Sequence, residues 1–379
     1  MSQKRKIIII GSAYPLRGGL SAYNERLAKA YQDNGDEVLV YTFSLQYPNF
    51  LFPGKTQFSD GSPPEGLDIK VKINSVNPIN WLKTGKEIKK LNPDLVIIKF
   101  WIPFMAPSLG KIARIIKKNK YSKVISIIDN IIPHEKRPGD KMFGKYWVNS
   151  VDGFIAMSKS VLDDLNTFDK EKPKLFCPHP LYDNFGKLYT KTEAKAQLKL
   201  DKDINYILFF GFIRDYKGLD ILLEAMAMDN LKKLPIKLLI AGEFYTDSKP
   251  YYDIIEKHNL KEKLVLATDF IPDDEVGKYF CASDMVVQPY KNATQSGVTQ
   301  IAYHFNKPMI TTDVGGLAEI VPDGKVGYVT NPNAKEISEA IGNFYKLNKE
   351  DEFVENVKLE KNKYTWENLL MTIDKLIKN

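Results

Sequence analysis

The chain has 379 residues, 44% hydrophobic and 12% aromatic, which excludes a disordered or low-complexity protein and is more than one ordinary core organises, so two domains are expected. Its two cysteines, Cys177 and Cys281, exclude a disulfide framework or a cysteine metal cluster and read as small buried residues of a reducing compartment. The net charge of +7 comes without a recognition module or interleaved aromatics, so nucleic acid is not an expected partner.

Met1 to Lys6 is basic but leads into only four isoleucines, too short an apolar region for a secretion signal. Ile7 to Ile10 instead reads as a parallel strand buried on both faces. Gly11 to Gly19 is the loop that follows. A helix is expected over Leu20 to Asn34, where Leu20, Tyr23, Leu27, Ala30 and Tyr31 share one stripe, with Gly35 as its stop. Glu37 to Tyr41 is the next strand. The dinucleotide spacing Gly-x-Gly-x-x-Gly is absent here; the pair Gly18-Gly19 instead permits close backbone approach at a helix N-terminus.

Residues 44 to 66 hold Pro48, Pro53, Pro63 and Pro64 and read as an irregular excursion within the first domain. Strands are expected at Lys70 to Ile73, Leu95 to Ile98, Val124 to Ile128 and Gly153 to Met157. The apolar run from Leu95 to Ala106 is interrupted by Lys99 and Pro103, so no segment is expected to span a membrane. Lys83 to Lys90 and Lys111 to Lys120 read as amphipathic helices with cationic faces. Such a face is either an ordinary solvated surface or a contact for anionic lipid headgroups, worth about 1 kcal/mol per cation near the membrane.

The alternation turns over near Pro178 to Asn184 and restarts. Helix is expected at 192–198, 219–229, 250–258 and 273–281, and strand at 206–210, 237–241, 264–267, 284–288, 309–312 and 327–330. An α/β protein of two doubly wound, Rossmann-like domains follows, with the ligand in the cleft between the carboxyl ends of the two sheets. Within the second, Gly211-Phe212-Ile213-Arg214-Asp215-Tyr216-Lys217-Gly218 joins strand to helix, where free N–H groups and the helix dipole favour phosphate. Arg214 and Lys217 stand three residues apart on what reads as an exposed loop. They are either a diphosphate clamp or ordinary solvated cations.

Several motifs taken together resemble the family 4 glycosyltransferases (glycosyl transferases group 1) of GT-B fold over nearly the full length. They are Gly211-x-x-Arg214-x-x-Lys217-Gly218; Phe280-x-Ala282-Ser283-Asp284 leading to Gln288-Pro289; Lys307-Pro308-Met309-Ile310-x-Thr312-Asp313-Val314-Gly315-Gly316-Leu317-x-Glu319; and Pro322-Asp323-Gly324-x-x-Gly327. Gly18-Gly19-Leu20 looks like the family's first glycine-rich loop, and Trp366 in a helix over 365–377 like its C-terminal helix. The resemblance implies an acceptor-binding domain over 1–184, joined again by 365–379, and a donor-binding domain over 185–364. It implies transfer of a sugar from a nucleotide-sugar co-substrate, UDP- or GDP-linked, with retention at the anomeric carbon and neither metal nor further cofactor. Arg214 and Lys217 would stabilise the leaving diphosphate, with backbone N–H groups of Gly18, Gly19, Ser296, Gly297 and Val298. Gly211 would allow close approach, and Phe270 and Ile271 would meet the base.

Two departures from the family stand out. Where relatives carry two glutamates near the donor sugar and ribose, this chain has Ala293 and Ile301, leaving Thr294, Gln295, Ser296 and Gln300 as neutral candidates. Where relatives often have a first histidine, this chain has Asp129, followed by His134 and Glu135. Asp129 and His134 complete the candidate catalytic set with Arg214 and Lys217. His134 is equally readable as a structural residue of its loop. His304 reads as packing, His258 as a helix-end surface residue and His179 as a hinge residue. Asp201-Lys202-Asp203 precedes a strand and reads as a turn, not a metal site.

The expectation is therefore a cytoplasmic-side glycosyltransferase of surface polysaccharide synthesis, peripheral on the inner membrane face. It would act on a glycan or lipid-linked acceptor and touch an anionic membrane through its basic N-terminal helices. The alternatives are a degenerate GT-B scaffold subunit, motivated by the missing glutamates, and an epimerase or phosphorylase on the same fold.

Overall fold

The computed structural model describes residues 4–48, 56–59, 61–133, 137–293 and 296–378. The chain divides into two compact units: Met1–Pro180 with Thr365–Asn379, and Leu181–Tyr364.

In the first unit, β1 (Lys6–Ile10), β2 (Glu37–Leu45), β3 (Asp68–Asn74), β4 (Leu95–Phe100), β5 (Lys123–Ile128), β6 (Gly153–Ala156) and β7 (Lys174–Phe176) form one parallel sheet in the order β3-β2-β1-β4-β5-β6-β7. The central register, Ile7 on Leu95 and Ile9 on Ile97, explains the uninterrupted aliphatic runs, because helices cover both faces and no position alternates to water. The helices are α1 (Gly19–Asp33), α2 (Pro78–Leu91), α3 (Ala106–Ile116), α4 (Asp140–Val148) and α5 (Lys159–Phe168). The Asn77 side chain caps α2 by accepting from the N–H groups of Ile79 and Asn80, and Pro78 stands where no N–H is needed.

The second unit holds β8 (Asn205–Phe210), β9 (Ile236–Ala241), β10 (Leu264–Ala267), β11 (Met285–Gln288), β12 (Met309–Thr312) and β13 (Gly327–Thr330), parallel in the order β10-β9-β8-β11-β12-β13. Around it lie α6 (Lys191–Gln197), α7 (Leu219–Met226), α8 (Asp229–Lys232), α9 (Lys249–Lys257), α10 (Val276–Ala282), α11 (Gly297–His304), α12 (Leu317–Ile320), α13 (Ala334–Lys346) and α14 (Glu350–Glu360). The strand order reverses beside β1 in one sheet and beside β8 in the other. At such switch points loops splay apart at the carboxyl edge and leave a crevice.

A final helix, α15 (Trp366–Lys378), belongs to the first unit. It buries Trp366, Leu369, Leu370, Ile373 and Leu376. Trp366 packs on Tyr23 of α1 with centroids 5.3 Å apart, and Asp374 pairs with Arg5 at 2.6 Å.

Several elements differ from the sequence reading, among them these three. The helix expected over 219–229 is broken into α7 and α8, because Met228 takes extended backbone (φ −76°, ψ 146°) and redirects the chain so that Leu231 is buried. The helix expected from 273 begins at Val276, after a turn in which the Glu275 N–H reaches the Pro272 carbonyl. β7 was not foreseen: three residues at a sheet edge carry too little periodicity to read.

Candidate functional site

In the second unit the loops after β8 and β11, the strands at the switch point, are fastened together. Gly218 has φ +68°, and a Cβ there would stand 1.9 Å from the Pro289 carbonyl oxygen, so no other residue fits. The Lys291 N–H donates to the Tyr216 carbonyl at 2.7 Å, while its ammonium bonds Asp215 at 2.8 Å and Asp220 at 2.9 Å. Asp215 and Asp220 are thereby engaged by Lys291.

Lys217 is not on an exposed loop, contrary to the sequence reading. The 3₁₀ turn Asp215–Lys217 folds its side chain back under the loop, leaving the residue 9% exposed. Its Nζ lies against Gly211, where a Cβ would be only 2.9 Å away, and 5.7 Å from the centre of the Tyr290 ring. Burial, and then the positive charge of Arg214, bring its ammonium down from 10.5 to about 7, and no carboxylate among the described residues offsets them. A buried cation without a counter-charge is costly, so its retention marks a place prepared for an anion.

Arg214 is half-buried. Residues 212–214 run beside 243–245 as a short parallel strip, the Ile213 N–H donating to the Glu243 carbonyl and the Tyr245 N–H to the Ile213 carbonyl. The alternation of extended backbone sends Ile213 into the core and turns Phe212 and Arg214 outward together. Phe212 stacks on Tyr245 at 4.2 Å and on Phe270 at 6.4 Å, and the Arg214 guanidinium lies 5.2 Å from the Tyr245 ring centre. Phe270 thus joins an aromatic shelf that continues to Arg214. Ile271 follows it, half-buried. Phe212 and Tyr245 are the residues that sequence reasoning passed over here; their signal was the unusual aromatic after Gly211.

The first turn of α11 closes the same spot. Ser296 precedes the helix, Gly297 opens it, and a Val298 methyl lies 3.7 Å from where a Gly211 Cβ would be. The structure therefore brings Gly211, Lys217 and Val298 together, with Ser296 and Gly297 in the same first turn of α11, whose leading N–H groups have no intrahelical acceptor. Gln300 is turned inward: its amide is fully buried and finds no partner among the described residues. Ala293 and Ile301 are buried in packing. Thr294 and Gln295 lie outside the described residues, as does His134.

In the first unit, Gly18 (φ +100°) precedes α1 and Gly19 begins it. Asp129 follows β5 at the same carboxyl edge, its N–H donating to the Phe100 carbonyl at 2.9 Å. Its carboxylate accepts from the Lys99 ammonium at 2.7 Å, and that ammonium lies 3.8 Å from the centre of the Tyr23 ring. Lys99 is 2% exposed, and burial lowers its pKa although Asp129 works against the shift. The Lys that interrupted the apolar run is thus the counter-charge of a candidate catalytic residue. Lys99→Met is expected to destabilise the first unit by about 3–5 kcal/mol, since it removes the buried ammonium from which the Asp129 carboxylate accepts. The double variant Lys99→Met/Asp129→Asn should recover much of that loss, read as unfolding midpoints in a double-mutant cycle.

The remaining histidines are structural in their surroundings. His179 is buried in the first unit edge-on to Tyr23 at 5.0 Å, and burial, then the charge of Lys99, lowers its pKa to about 3. His258 ends α9 with Nε2 2.9 Å from Glu224, and His304 lies edge-on to Phe305. Asp201 and Asp203 form a turn before β8, the Asp203 N–H donating to the Asp201 carboxylate at 2.9 Å. Among the described residues no group of three or more His, Cys, Asp or Glu is placed to hold a metal ion.

Comparison with known proteins agrees with this geometry. Residues 190–362 match the family model described as glycosyl transferases group 1. An uncharacterized glycosyltransferase of Methanocaldococcus jannaschii is 26% identical over 383 residues, covering 98% of this chain and 97% of its own. A lipopolysaccharide 1,2-N-acetylglucosaminetransferase of Salmonella typhimurium is 25% identical over 194 residues, 49% of this chain and 51% of its own. The crystal structure of Anabaena HepE in complex with UDP superposes with a TM-score of 0.72 at 16% identity, covering 98% of this chain and 99% of that one. The buried cation at the β8 switch point, Gly218 locked against Pro289 and the helix N-terminus of α11 all fall inside the matched segment: residues 190–362 form a glycosyl transferases group 1 domain, in a chain of GT-B fold.

Proposed function

We propose that the protein is a retaining, metal-independent hexosyltransferase. It would move a sugar from a UDP- or GDP-linked donor to a glycan or lipid-linked acceptor of a surface polysaccharide. The observation that carries this is Lys217, a buried ammonium without a carboxylate partner among the described residues, set against the first turn of α11. A glycosyl bond breaking at the diphosphate leaves negative charge on its oxygens. Lys217 and the N–H groups of Gly297 and Val298 are preplaced to receive that charge, and Arg214 extends the cationic field outward. The Phe212–Tyr245–Phe270 shelf offers a flat apolar surface to the donor's base. In the first unit, Gly18 and Gly19, read as donor-binding residues, and Asp129 stand at one carboxyl sheet edge, with His134 as the further candidate catalytic residue. The Salmonella relative's named activity and the UDP in the Anabaena structure support the substrate class.

Apolar residues at the family's two glutamate positions, Ala293 and Ile301, favour the second reading, a non-catalytic scaffold. An unpaired buried lysine weighs against it, because a scaffold has no use for a diphosphate site.

The test is a thermal-shift panel of UDP, GDP, ADP, CMP and dTDP without metal, followed by assays of nucleotide release with and without acceptor glycan. At about 100 times its dissociation constant a bound nucleotide stabilises the native state by roughly 2.7 kcal/mol. One responsive nucleotide, with acceptor-dependent release and retained anomeric configuration in the product, is the expected result. No response to any nucleotide overturns the proposal in favour of the scaffold; release without acceptor points to another reaction on this fold.

A further inference from the structure

In the first unit, the loops that follow β1, β2 and β4 are knitted together at the carboxyl edge of the sheet. The Ser12 hydroxyl donates to the Gln46 amide oxygen at 2.5 Å, and the Arg17 N–H to the Gln57 carbonyl at 3.0 Å. The Gln57 side chain in turn brackets Tyr47, donating to its carbonyl at 3.0 Å and accepting from its N–H at 3.3 Å. The connection from β2 to β3 is longer than compact domains commonly carry, and such connections usually serve a site. Here it delivers Tyr47 to the residues that follow β4.

Trp101 is held there from two sides. Its indole N–H donates to the Tyr47 hydroxyl at 2.6 Å, and its ring meets Phe43 edge-on with centroids 6.0 Å apart. Tyr47 also stacks on Phe104, with centroids 6.0 Å apart. Phe43 and Phe100, inside the strands, are fully buried, whereas Tyr47, Trp101 and Phe104 are each half-buried. With its N–H already bonded, the Trp101 indole can offer a ligand only its ring.

Polar groups border these rings. The carbonyl of Phe100, next to Trp101 in the chain, accepts the Asp129 N–H, and half-buried Asn130 follows. Lys99 fixes the Asp129 carboxylate at 2.7 Å. A pyranose matches this combination of flat ring and polar rim. Its axial C–H bonds form an apolar face, polarised positive by the neighbouring oxygens and drawn to the negative face of an aromatic ring. Its equatorial hydroxyls point outward, where amide and carboxylate can bind them. An alkyl chain would leave those polar groups without partners, and a nucleobase already has the aromatic shelf of the second unit.

We propose that Trp101, with Tyr47 and Phe104, is a stacking platform for a pyranose residue of the acceptor, whose hydroxyls Asp129 and Asn130 bind. The proposal rests on the transferase reading, which makes the bound sugar an acceptor. Trp101 then selects among acceptors by the shape of their C–H face. A ring with equatorial substituents lies flat on the indole, and one with an axial group on that face is held off.

The experiment is saturation-transfer NMR on the full chain with the methyl pyranosides of glucose, galactose, mannose and N-acetylglucosamine as probes. At least one of them is expected to receive saturation chiefly on the C–H protons of one face. Its binding should weaken about tenfold in Trp101→Leu but only about threefold in Trp101→Phe. Both variants keep apolar volume against Phe43, and only phenylalanine keeps a ring. Unchanged unfolding midpoints would show the variants to be folded, and the wild-type contact map decides alone where one is not. No saturation on any probe, saturation spread evenly over both faces, or equal losses in the two folded variants would overturn the proposal. UDP whose uracil contacts vanish in Trp101→Leu would also overturn it, in favour of a base site. Nucleotide thermal shifts measured alongside separate the two readings. A nucleotide response without glycoside contacts fells only the platform, and glycoside contacts without any nucleotide response fell only the transferase.

Discussion

Lys217→Ala is expected to weaken nucleoside diphosphate binding by about 2–5 kcal/mol, a loss of thirtyfold or more, while the protein remains folded. The side chain has no ion-pair partner among the described residues whose loss would strand a charge, and its ammonium is already held down to about 7 by burial and by Arg214. Wild-type affinity should therefore depend on pH in a way the variant's does not. Only the protonated amine attracts the diphosphate, so affinity falls as pH rises through about 7 in the wild type and stays level in Lys217→Ala. The stability of the ligand-free fold moves the other way. Because the folded value lies below the ordinary 10.5, the unfolded chain holds a proton there that the folded chain has lost. This residue's contribution therefore rises between about pH 7 and 10.5. Titration calorimetry at several pH values, beside thermal unfolding without nucleotide, would show both trends. Parallel slopes for wild type and variant would remove Lys217 from the site.

Asp284→Ala is expected to cost the second unit about 3–5 kcal/mol. The carboxylate is fully buried and accepts three hydrogen bonds, from the Lys191 ammonium at 2.7 Å, the Tyr345 hydroxyl at 2.9 Å and the Tyr206 N–H at 3.0 Å. It thereby ties the start of β8 to α6 and α13, beneath the strand that presents the Gly211 loop. At roughly 2–4 °C per kcal/mol for a domain of this size, the melting temperature should drop by about 6–20 °C. Asp284→Asn keeps an acceptor for Tyr206 and should lose distinctly less. A drop under about 1 kcal/mol in Asp284→Ala would show that Lys191 satisfies its charge through Glu350 alone.

Much of the architecture was legible because runs such as Ile7 to Ile10 and Leu95 to Ile98 are too apolar to lie anywhere but the middle of a covered sheet. Glycine punctuation then located the loop after β8. Burial of individual polar groups was not legible. Spacing shows that Lys217 follows Arg214 by three residues but not that a 3₁₀ turn folds it inward. Lys99 interrupted an apolar run without revealing its partner, since the pairing with Asp129 exists only once β4 and β5 lie side by side. The aromatic shelf joins three loops and leaves no pattern in any one stretch of sequence.

The placement of α15 orders events during synthesis. The first unit consists of residues 1–180 and 365–379, with the whole of the second unit between them. A ribosome therefore delivers every residue of the second unit before Trp366 can cover Tyr23 or Asp374 can reach Arg5. The usual order, in which the N-terminal domain is finished first, is inverted. For as long as residues 181–364 take to emerge, α1 waits with an uncovered aromatic face, and in that interval a chaperone holding the nascent chain has most to protect.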